Sequence, residues 1–378
     1  MSGHLRELIV DLDAITANTQ VLVSRSGSAG VMAVVKADAY GHGLVPSARA
    51  AIAGGAQWLG VALLDEALAL RAGGIEDPVL AWLVGRGEPW AEALTRSIDL
   101  SVSDVWVLDD ITAAARELGR VARVHLKVDS GLGRSGAPVG DWPALVDAAR
   151  KAELDGIIVV VGVWSHLAYA DAPGHPTIDR QLEVFQNAVD IAERAGLQPE
   201  VRHLANSAAT LTRPDTHFDL TRPGLAVYGL SPLRDAPAAS LGLLPAMSLQ
   251  ARLTLVKRVP AGHGVSYMHR YVTNRETTLG LVPLGYADGV PRNSTNVGPV
   301  QVGGRRRTIA GVVCMDQFVV DLGDDPLAIG DVVSLFGPGN SGEPTAQDWA
   351  DATGTISYEI VTRMGPRIAR RYLGGAES

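Results

Sequence analysis

The stretch VMAVVKADAYGHG, residues 31–43, joins an apolar run to a lysine and then to a glycine-containing turn. The run Val31–Val35 is typical of a strand buried in a sheet, and Lys36 stands directly at its end. Gly41 and Gly43 allow the backbone to turn tightly after it. We therefore predict a buried strand that presents the amine of Lys36 at its carboxyl end.

Similar strands recur through the first 240 residues, separated by stretches of helical character. The strand-like runs are VMAVVK, QWLGVA, PVLAWL, IDLSVS, VARVHLKVD, DGIIVVVGVWSH, EVRHLANS and FDLTRPGLAVYG. Runs this apolar suit a parallel sheet that is covered on both faces. Eight β/α repeats predict the α/β class, with a (β/α)8 TIM-type barrel over residues 1–240. A doubly wound open sheet is the alternative that periodicity leaves open.

The chain changes character near residues 231–246. Segments such as MSLQARLTLVKRV and TIAGVVCMDQFVVDLG are strands interrupted by glycine, proline and asparagine. A length of 378 residues also exceeds what one ordinary core supports. We predict a second, mostly-β domain over residues 241–378.

Composition excludes several classes of function. The formal net charge of -8 argues against a nucleic-acid partner. The single cysteine, Cys314, permits no intrachain disulfide, which fits a reducing compartment. The start of the chain lacks a signal pattern, and the apolar run at 157–164 is too short to cross a bilayer. We expect a cytoplasmic protein with no membrane partner.

A lysine at the end of a buried barrel strand is suited to covalent chemistry. Burial would lower the pKa of Lys36 and leave part of its amine neutral and nucleophilic. Such an amine forms Schiff bases with carbonyl compounds or with pyridoxal 5'-phosphate (PLP). Tyr40, four residues later, could reach back to the same place. The alternative is a lysine that only ends a strand and extends into water.

The motif GLGRSG, residues 131–136, matches the dinucleotide-binding pattern G-x-G-x-x-G. Asp155 lies at about the expected distance of roughly 20 residues, but it precedes the next strand instead of ending it. Arg134 in the centre is better suited to clamp a carboxylate. The pattern therefore favours a substrate-binding loop over a nucleotide site.

Polar residues also follow other predicted strands. His166, Asn206–Ser207 and Arg222 all occupy such positions. Taken singly, they could be a core histidine, a helix N-cap at Ser207 and a surface arginine. Together they predict an active site at one end of a barrel. The nine histidines show no tight metal-ligand spacing, so we predict no metal.

These motifs, from VVKADAYGHG to ISYEIVTR, resemble those of alanine racemase over nearly the whole chain. The resemblance implies a PLP enzyme with a (β/α)8 barrel and a β domain. It implies interconversion of L- and D-alanine by two bases, which supplies D-alanine for peptidoglycan. It also implies a homodimer, because in this family the second base, here Tyr267 of VSY, comes from the partner subunit.

The resemblance assigns roles to further residues. Lys36 would carry PLP and act as the base on one face, with Tyr267 on the other. Arg134 would bind the substrate carboxylate, positioned by Lys127, which is often carbamylated in this family. Arg222 would face the pyridine nitrogen. The other implied residues are His166 near the ring, Tyr40, Asn206, Ser207, Gly224, Leu225 and Tyr358 at the phosphate, Met315 at the substrate carboxylate with Asp316 and Cys314 beside it, and Asp171, Tyr286 and Arg292 along the access corridor.

Two positions depart from the family pattern. Met268 follows VSY where glycine is usual, and Val312 stands where arginine is frequent. Other interpretations also remain at this point: a racemase of broader specificity, a decarboxylase-like relative, a non-catalytic PLP-binding protein and a nicotinamide dehydrogenase. A decarboxylase is expected to carry an acid in place of Arg222, and a PLP-binding protein resembles the barrel alone.

Overall fold

A computed structural model describes residues 4–375, which form two compact units. One unit comprises Ile15–Ala39 and Gly43–Leu244. The other comprises the residues up to Ala14, Tyr40–His42 and the residues from Pro245 onward. We call them the barrel unit and the β unit.

The barrel unit contains one sheet of eight strands. They are β2 (Gly30–Val34), β3 (Trp58–Val61), β4 (Val79–Ala81), β5 (Asp99–Val102), β6 (Ala122–Lys127), β7 (Ile158–Trp164), β8 (Val201–His203) and β9 (Leu220–Thr221). Strands β2 to β8 pair in chain order and in parallel, and β9 pairs with β2. A parallel bridge between Asn206 and Arg222, just beyond β8 and β9, closes the ring. The predicted (β/α)8 barrel is confirmed, and the open sheet is excluded.

Helices alternate with the barrel strands. Over the first 212 residues they are α1 (Leu12–Ser26), α2 (Lys36–Tyr40), α3 (Leu44–Ala53), α4 (Leu64–Ala72), α5 (Trp90–Thr95), α6 (Val105–Leu118), α7 (Trp142–Leu154), α8 (Thr177–Arg194) and α9 (Ser207–Thr212). The ends of α6 show why it forms: the Asp104 carboxylate accepts from the amide of Trp106, and Gly119 ends the helix at φ 62°. Element α2 is unusual because it is left-handed from Ala37 onward.

Apolar side chains from neighbouring strands fill the barrel. Met32, Leu80 and Leu220 are fully buried and pack against Trp58 and Trp82. Burial on both faces explains why these strands read as continuous apolar runs. The packed interior leaves the carboxyl ends of the strands as the place for a site.

The β unit is built around a six-stranded sheet in the order β16-β15-β18-β10-β1-β19. Its strands are β1 (Arg6–Asp11), β10 (Met247–Arg252), β15 (Pro299–Val302), β16 (Arg305–Thr308), β18 (Val332–Phe336) and β19 (Ala369–Leu373). Smaller sheets consist of β11 (Leu255–Val259), β14 (Thr277–Val282) and β17 (Phe318–Gly323), and of β12 (Gly264–Val265) and β13 (Tyr271–Val272). The helices are α10 (Ala346–Thr353) and α11 (Ser357–Thr362).

The division of the chain differs from the expected 1–240 and 241–378. Strand β1 pairs with β10 and β19, so residues 4–14 belong to the β unit. The physical reason is that β1 completes the six-stranded sheet between two later strands. The later boundary, between Leu244 and Pro245, lies close to the expected one.

Within the part of the chain that the structure describes, no helix is long and apolar enough to cross a membrane.

Candidate active site

Lys36 follows β2 at the carboxyl end of the barrel. Its Nζ lies 5.9 Å from the ring centroid of Trp82. Burial and then the positive charge of Arg134 lower the pKa of Lys36, while Glu66 raises it. The lysine is therefore in the partly desolvated position that the sequence predicts, near other charged groups.

Arg222 follows β9 and is only 4% exposed. Its Nη2 donates to the carbonyl oxygens of Ser165 at 2.7 Å and Leu204 at 3.2 Å, and to Nδ1 of His166 at 3.2 Å. These contacts fix the plane of the guanidinium. Burial and then Arg134 lower the pKa of Arg222 to about 9, which still leaves it charged at neutral pH.

Lys127 ends β6 inside the same mouth and is 3% exposed. Its Nζ donates to Oγ of Ser135 at 2.5 Å and lies 4.1 Å from the ring centroid of Trp164. Burial, followed by Arg222 and Arg134, lowers the pKa of Lys127 to about 7. An amine in this state is partly neutral at physiological pH and can react as a nucleophile.

The loop from Asp129 to Gly136 carries Arg134. One carboxylate oxygen of Asp129 accepts from the amides of Gly131, Leu132 and Gly133 at 2.9–3.1 Å. The amides that would cradle a pyrophosphate are therefore already occupied by an acid of the loop itself. This geometry is inconsistent with the dinucleotide interpretation of GLGRSG.

A chain of buried polar groups runs from Arg222 into the barrel core. Nδ1 of His203 lies 3.3 Å from Nη1 of Arg222, and Nε2 of His203 lies 2.9 Å from Nδ1 of His125. Nε2 of His125 lies 3.3 Å from Asp99, which also accepts from Arg123 at 2.8 Å. Burial and then Arg222 lower the pKa of both His166 and His203 well below its usual value.

The sequence analysis did not identify Asp99, Arg123, His125 or His203 as part of this group of polar side chains. His203 stacks on Trp164 with ring centroids 5.5 Å apart, and the guanidinium of Arg222 lies 4.8 Å from the same indole. Charged or polar residues inside apolar strands, such as His125 in VARVHLKVD, were the available signal. His203 and Trp164, which lie in the barrel interior, thus contact the site residue Arg222 directly.

Asn206 and Ser207 follow β8 at the start of α9. The N-cap is Asn206, whose side chain accepts from the amides of Ala208 and Ala209. The expectation that Ser207 is the cap is wrong, because its Oγ instead accepts from the amide of Gly224 at 2.8 Å. Gly224 immediately precedes a 3-10 turn beginning at Leu225, so these four residues come together at one junction.

Four positively charged groups of the barrel unit influence one another. Arg134 affects the pKa of Lys36, Lys127 and Arg222, and all four affect that of His166. Excess positive charge at a barrel mouth suits a ligand that carries phosphate or carboxylate groups. Asp171, one of the expected corridor residues, lies in the loop between β7 and α8 of this unit.

In the β unit, Tyr40 and Tyr358 lie together with ring centroids 6.2 Å apart. Burial and then Tyr358 raise the pKa of Tyr40 above its usual range, so its hydroxyl keeps its proton. A protonated phenol can donate a hydrogen bond to a phosphate oxygen.

Tyr267 lies at the turn between β12 and β13 and is 67% exposed. The preceding residue, Ser266, has φ 61° and ψ -168°, a conformation almost restricted to glycine. Its Oγ donates to the carbonyl of Val312 at 2.7 Å and lies 3.4 Å from Sγ of Cys314. The turn that presents Tyr267 is thus fastened to the segment that leads to Met315.

The segment Cys314–Asp316 is irregular, so it interrupts the run TIAGVVCMDQFVVDLG that the sequence predicted as strand. The amides of Tyr286 and Ala287 donate to the carbonyls of Cys314 and Met315 at 3.1 and 3.0 Å. Asp316 pairs with Arg367 at 2.6 Å. Met315 and Tyr286 are therefore held side by side, and Arg292 lies exposed in the turn just after Tyr286.

No group of three or more histidine, cysteine, aspartate or glutamate side chains that could hold a metal occurs among residues 4–375.

Comparison with known proteins agrees with this arrangement. Residues 10–232 match the family described as "Alanine racemase, N-terminal domain", and residues 246–372 match "Alanine racemase, C-terminal domain". The chain belongs to the alanine racemase family. This confirms the resemblance inferred from the sequence and assigns the chain to the isomerases.

Individual relatives are similar over nearly their full length. The chain is 62% identical over 366 residues to the alanine racemase of Frankia casuarinae, which covers 97% of this chain and 95% of that protein. It is 60% identical over 370 residues to the alanine racemase of Thermobifida fusca, covering 97% and 98%. The crystal structure of alanine racemase from D-cycloserine-producing Streptomyces lavendulae superposes with a TM-score of 0.98, at 56% identity and with 99% and 98% coverage. These similarities do not favour a racemase of broader specificity.

Proposed function

We propose that this protein interconverts L- and D-alanine with PLP bound at Lys36, and that Lys36 and Tyr267 act as its two bases. The cluster of Lys36, Lys127, Arg134 and Arg222 at one barrel mouth is the observation that carries the proposal. Racemisation requires a proton to leave one face of the α-carbon and another to arrive on the opposite face. Two bases meet that need directly.

The residues of this mouth fit PLP. When bound, PLP supplies an aldehyde that reacts with amines and a ring that delocalises the electron pair left on the α-carbon. Lys36 offers an amine whose pKa is lowered by burial and by Arg134. Ser207, with amides near Asn206, Gly224 and Leu225, would hold the phosphate, and the family resemblance adds Tyr40 and Tyr358 of the β unit. His166 would lie against the ring.

Arg222 would contact the cofactor ring, and Arg134 would contact the substrate. Arg222 would face the ring nitrogen, and because a guanidinium only donates, that nitrogen would accept. Arg134 and the Met315 amide would bind the substrate carboxylate. Lys127 would position Arg134, and Asp316 would lie beside Met315. Asp171, Tyr286 and Arg292 would line the approach of alanine.

Tyr267 would serve the partner subunit of a homodimer. The support is its high exposure in the β unit, together with the apolar side chains of Met268, Tyr286 and Met315, which are also exposed. Exposed apolar side chains grouped along neighbouring loops are typical of surfaces that another chain covers. The product D-alanine would serve peptidoglycan synthesis in the cytoplasm.

The class of chemistry can be tested with the purified protein. We expect visible absorbance from bound PLP and exchange of the α-proton of L-alanine in D2O, followed by proton NMR with optical inversion. Lys36→Ala should abolish both, whereas Lys257→Ala, on strand β11, should change neither. A colourless protein, or a coloured one without exchange, would contradict the proposal.

A shared active site can be tested by mixing two inactive variants. Lys36→Ala and Tyr267→Phe should each be inactive as homodimers. If each site takes Tyr267 from the partner, dissociation and random reassociation should restore about a quarter of wild-type activity, because half of the dimers then hold one intact site. No recovery in dimers shown to be mixed would contradict the shared site.

A further inference from the structure

The backbone immediately after Lys36 adopts a rare conformation. Ala37, Asp38, Ala39 and Tyr40 all have φ of 53–54°, in the left-handed region. Residues other than glycine usually visit this region singly, because Cβ approaches the following carbonyl. A run of this kind persists only where neighbouring groups hold it in place.

One carboxylate holds the end of this turn that lies beside Lys36. Oε1 of Glu66 accepts from the amide of Ala37 at 2.5 Å. Oε2 of Glu66 accepts from the amides of Ala62 and Leu63 at 2.9 and 3.0 Å. The side chain of Asp38, within the turn, accepts from the amide of Leu44, beyond the turn, at 2.8 Å. Hydrogen bonds to an ionised carboxylate are stronger than those between neutral groups.

Helix capping explains only part of the geometry of Glu66. Glu66 is the third residue of α4, and a glutamate there normally reaches back to the N-cap amide, here that of Leu63. That role uses Oε2 alone. The bond from Oε1 to Ala37 crosses to the segment that follows the neighbouring strand, since β2 and β3 are paired.

We propose that Glu66 is a positioning residue for Lys36: its carboxylate fastens the left-handed turn after β2 to the start of α4 and so fixes where the lysine amine meets PLP. The inference rests on the proposed function, because it assumes that Lys36 receives the cofactor. Glu66 also raises the pKa of Lys36, against the larger lowering by burial and by Arg134, which is consistent with its proximity.

Glu66→Gln separates the two roles of the side chain. Glutamine keeps one oxygen, which can still accept from Leu63 and Ala62 and cap α4. Its NH2 group would then face the amide of Ala37, where two donors meet and no hydrogen bond forms. Glu66→Ala removes both contacts. Asp348→Asn is the matched control, because Asp348 reaches back to the amide of Thr345 at the start of α10 in the same way.

Amide hydrogen exchange in cofactor-free protein gives a readout independent of activity. We expect Glu66→Gln to speed exchange about tenfold or more in peptides covering residues 36–43, with peptides of α4 and the melting temperature close to wild type. The same variant should capture added PLP about tenfold more slowly and lower kcat more than it changes KM. Asp348→Asn should leave all these quantities unchanged.

The outcomes separate this inference from the proposed function. Wild-type exchange at residues 36–43 in Glu66→Gln would overturn the inference. So would faster exchange there with wild-type PLP capture and turnover, because the turn would then not control Lys36. Wild-type protein that takes up no PLP would overturn the proposed function, while the exchange result would still support or overturn the fastening by Glu66.

Discussion

The guanidinium of Arg222 lies 3.3 Å from Nδ1 of His203. A guanidinium only donates hydrogen bonds, so this nitrogen of His203 accepts, and the proton of the neutral ring sits on Nε2. Nε2 of His203 then donates to Nδ1 of His125, which leaves the His125 proton on Nε2 facing Asp99. One charged group at the site thus sets the tautomers of two histidines in the core.

This relationship predicts the protonation of His203. Nitrogen-15 NMR should show His203 as a neutral Nε2–H tautomer at pH 7 and at pH 5, because burial and then Arg222 hold its pKa well below the usual value. Arg222→Gln, whose amide can also accept, should relax the tautomer preference. An Nδ1–H tautomer of His203 in the wild-type protein would contradict the scheme.

Replacing Arg222 should change the type of reaction. If Arg222 keeps the ring nitrogen of PLP unprotonated, Arg222→Glu should raise transamination relative to racemisation on the order of tenfold, corresponding to about 1.4 kcal/mol between the two barriers. Pyruvate formed per turnover, followed by proton NMR, measures the ratio. Arg222→Lys retains the positive charge and is the control. An equal ratio of transamination to racemisation in the wild type and in Arg222→Glu would contradict this role of Arg222.

Lys127 should react with carbon dioxide. Its pKa of about 7 leaves about half of the amine neutral at pH 7, and only the neutral form yields a carbamate. Carbon-13 bicarbonate should therefore give a carbamate signal that grows as the pH rises from 6 to 8 and disappears in Lys127→Met. A signal that survives this substitution, or none at saturating bicarbonate, would show that Lys127 is not modified.

Two glycines of the Arg134 loop should differ in their tolerance of alanine. A Cβ on Gly136, at φ 122°, would lie 2.6 Å from the amide nitrogen of Asp129, whereas one on Gly133, at φ 70°, meets nothing within 4 Å. Gly136→Ala should cost about 3 kcal/mol or more from strain and overpacking. Gly133→Ala should cost about 1–2 kcal/mol. Urea unfolding measures both, and equal losses would contradict the close approach.

At Ser266, glycine should give a more stable protein than alanine, which is the reverse of the usual order. Its backbone conformation, φ 61° and ψ -168°, costs a residue with a Cβ on the order of 1–3 kcal/mol. Ser266→Gly relieves this strain, and both substitutions lose the bond to Val312. Ser266→Gly should therefore melt at a higher temperature than Ser266→Ala. At Ser248 in strand β10, where φ is not positive, alanine should be the more stable replacement. The same order at both sites would refute the strain argument.

The amino-acid sequence by itself determined the repeated strands of the barrel and the position of Lys36. Apolar runs report burial on both faces of a strand, and a polar residue directly after such a run reports the end of that strand. Arg134 was proposed as a site residue from the motif GLGRSG, and Tyr267 in VSY from the resemblance to alanine racemase.

Only the tertiary structure decided which distant residues meet. Strand β1 lies in the β unit because its partners, β10 and β19, come more than 230 residues later. Asp99, His125 and His203 join into one chain because three separate barrel strands turn them inward. Ala37–Tyr40 contain no glycine, so the sequence does not predict their left-handed turn. The carboxylate of Glu66, which accepts from the amide of Ala37, comes from the start of another helix. Contacts of this kind depend on strand order and side-chain direction, which local sequence patterns do not encode.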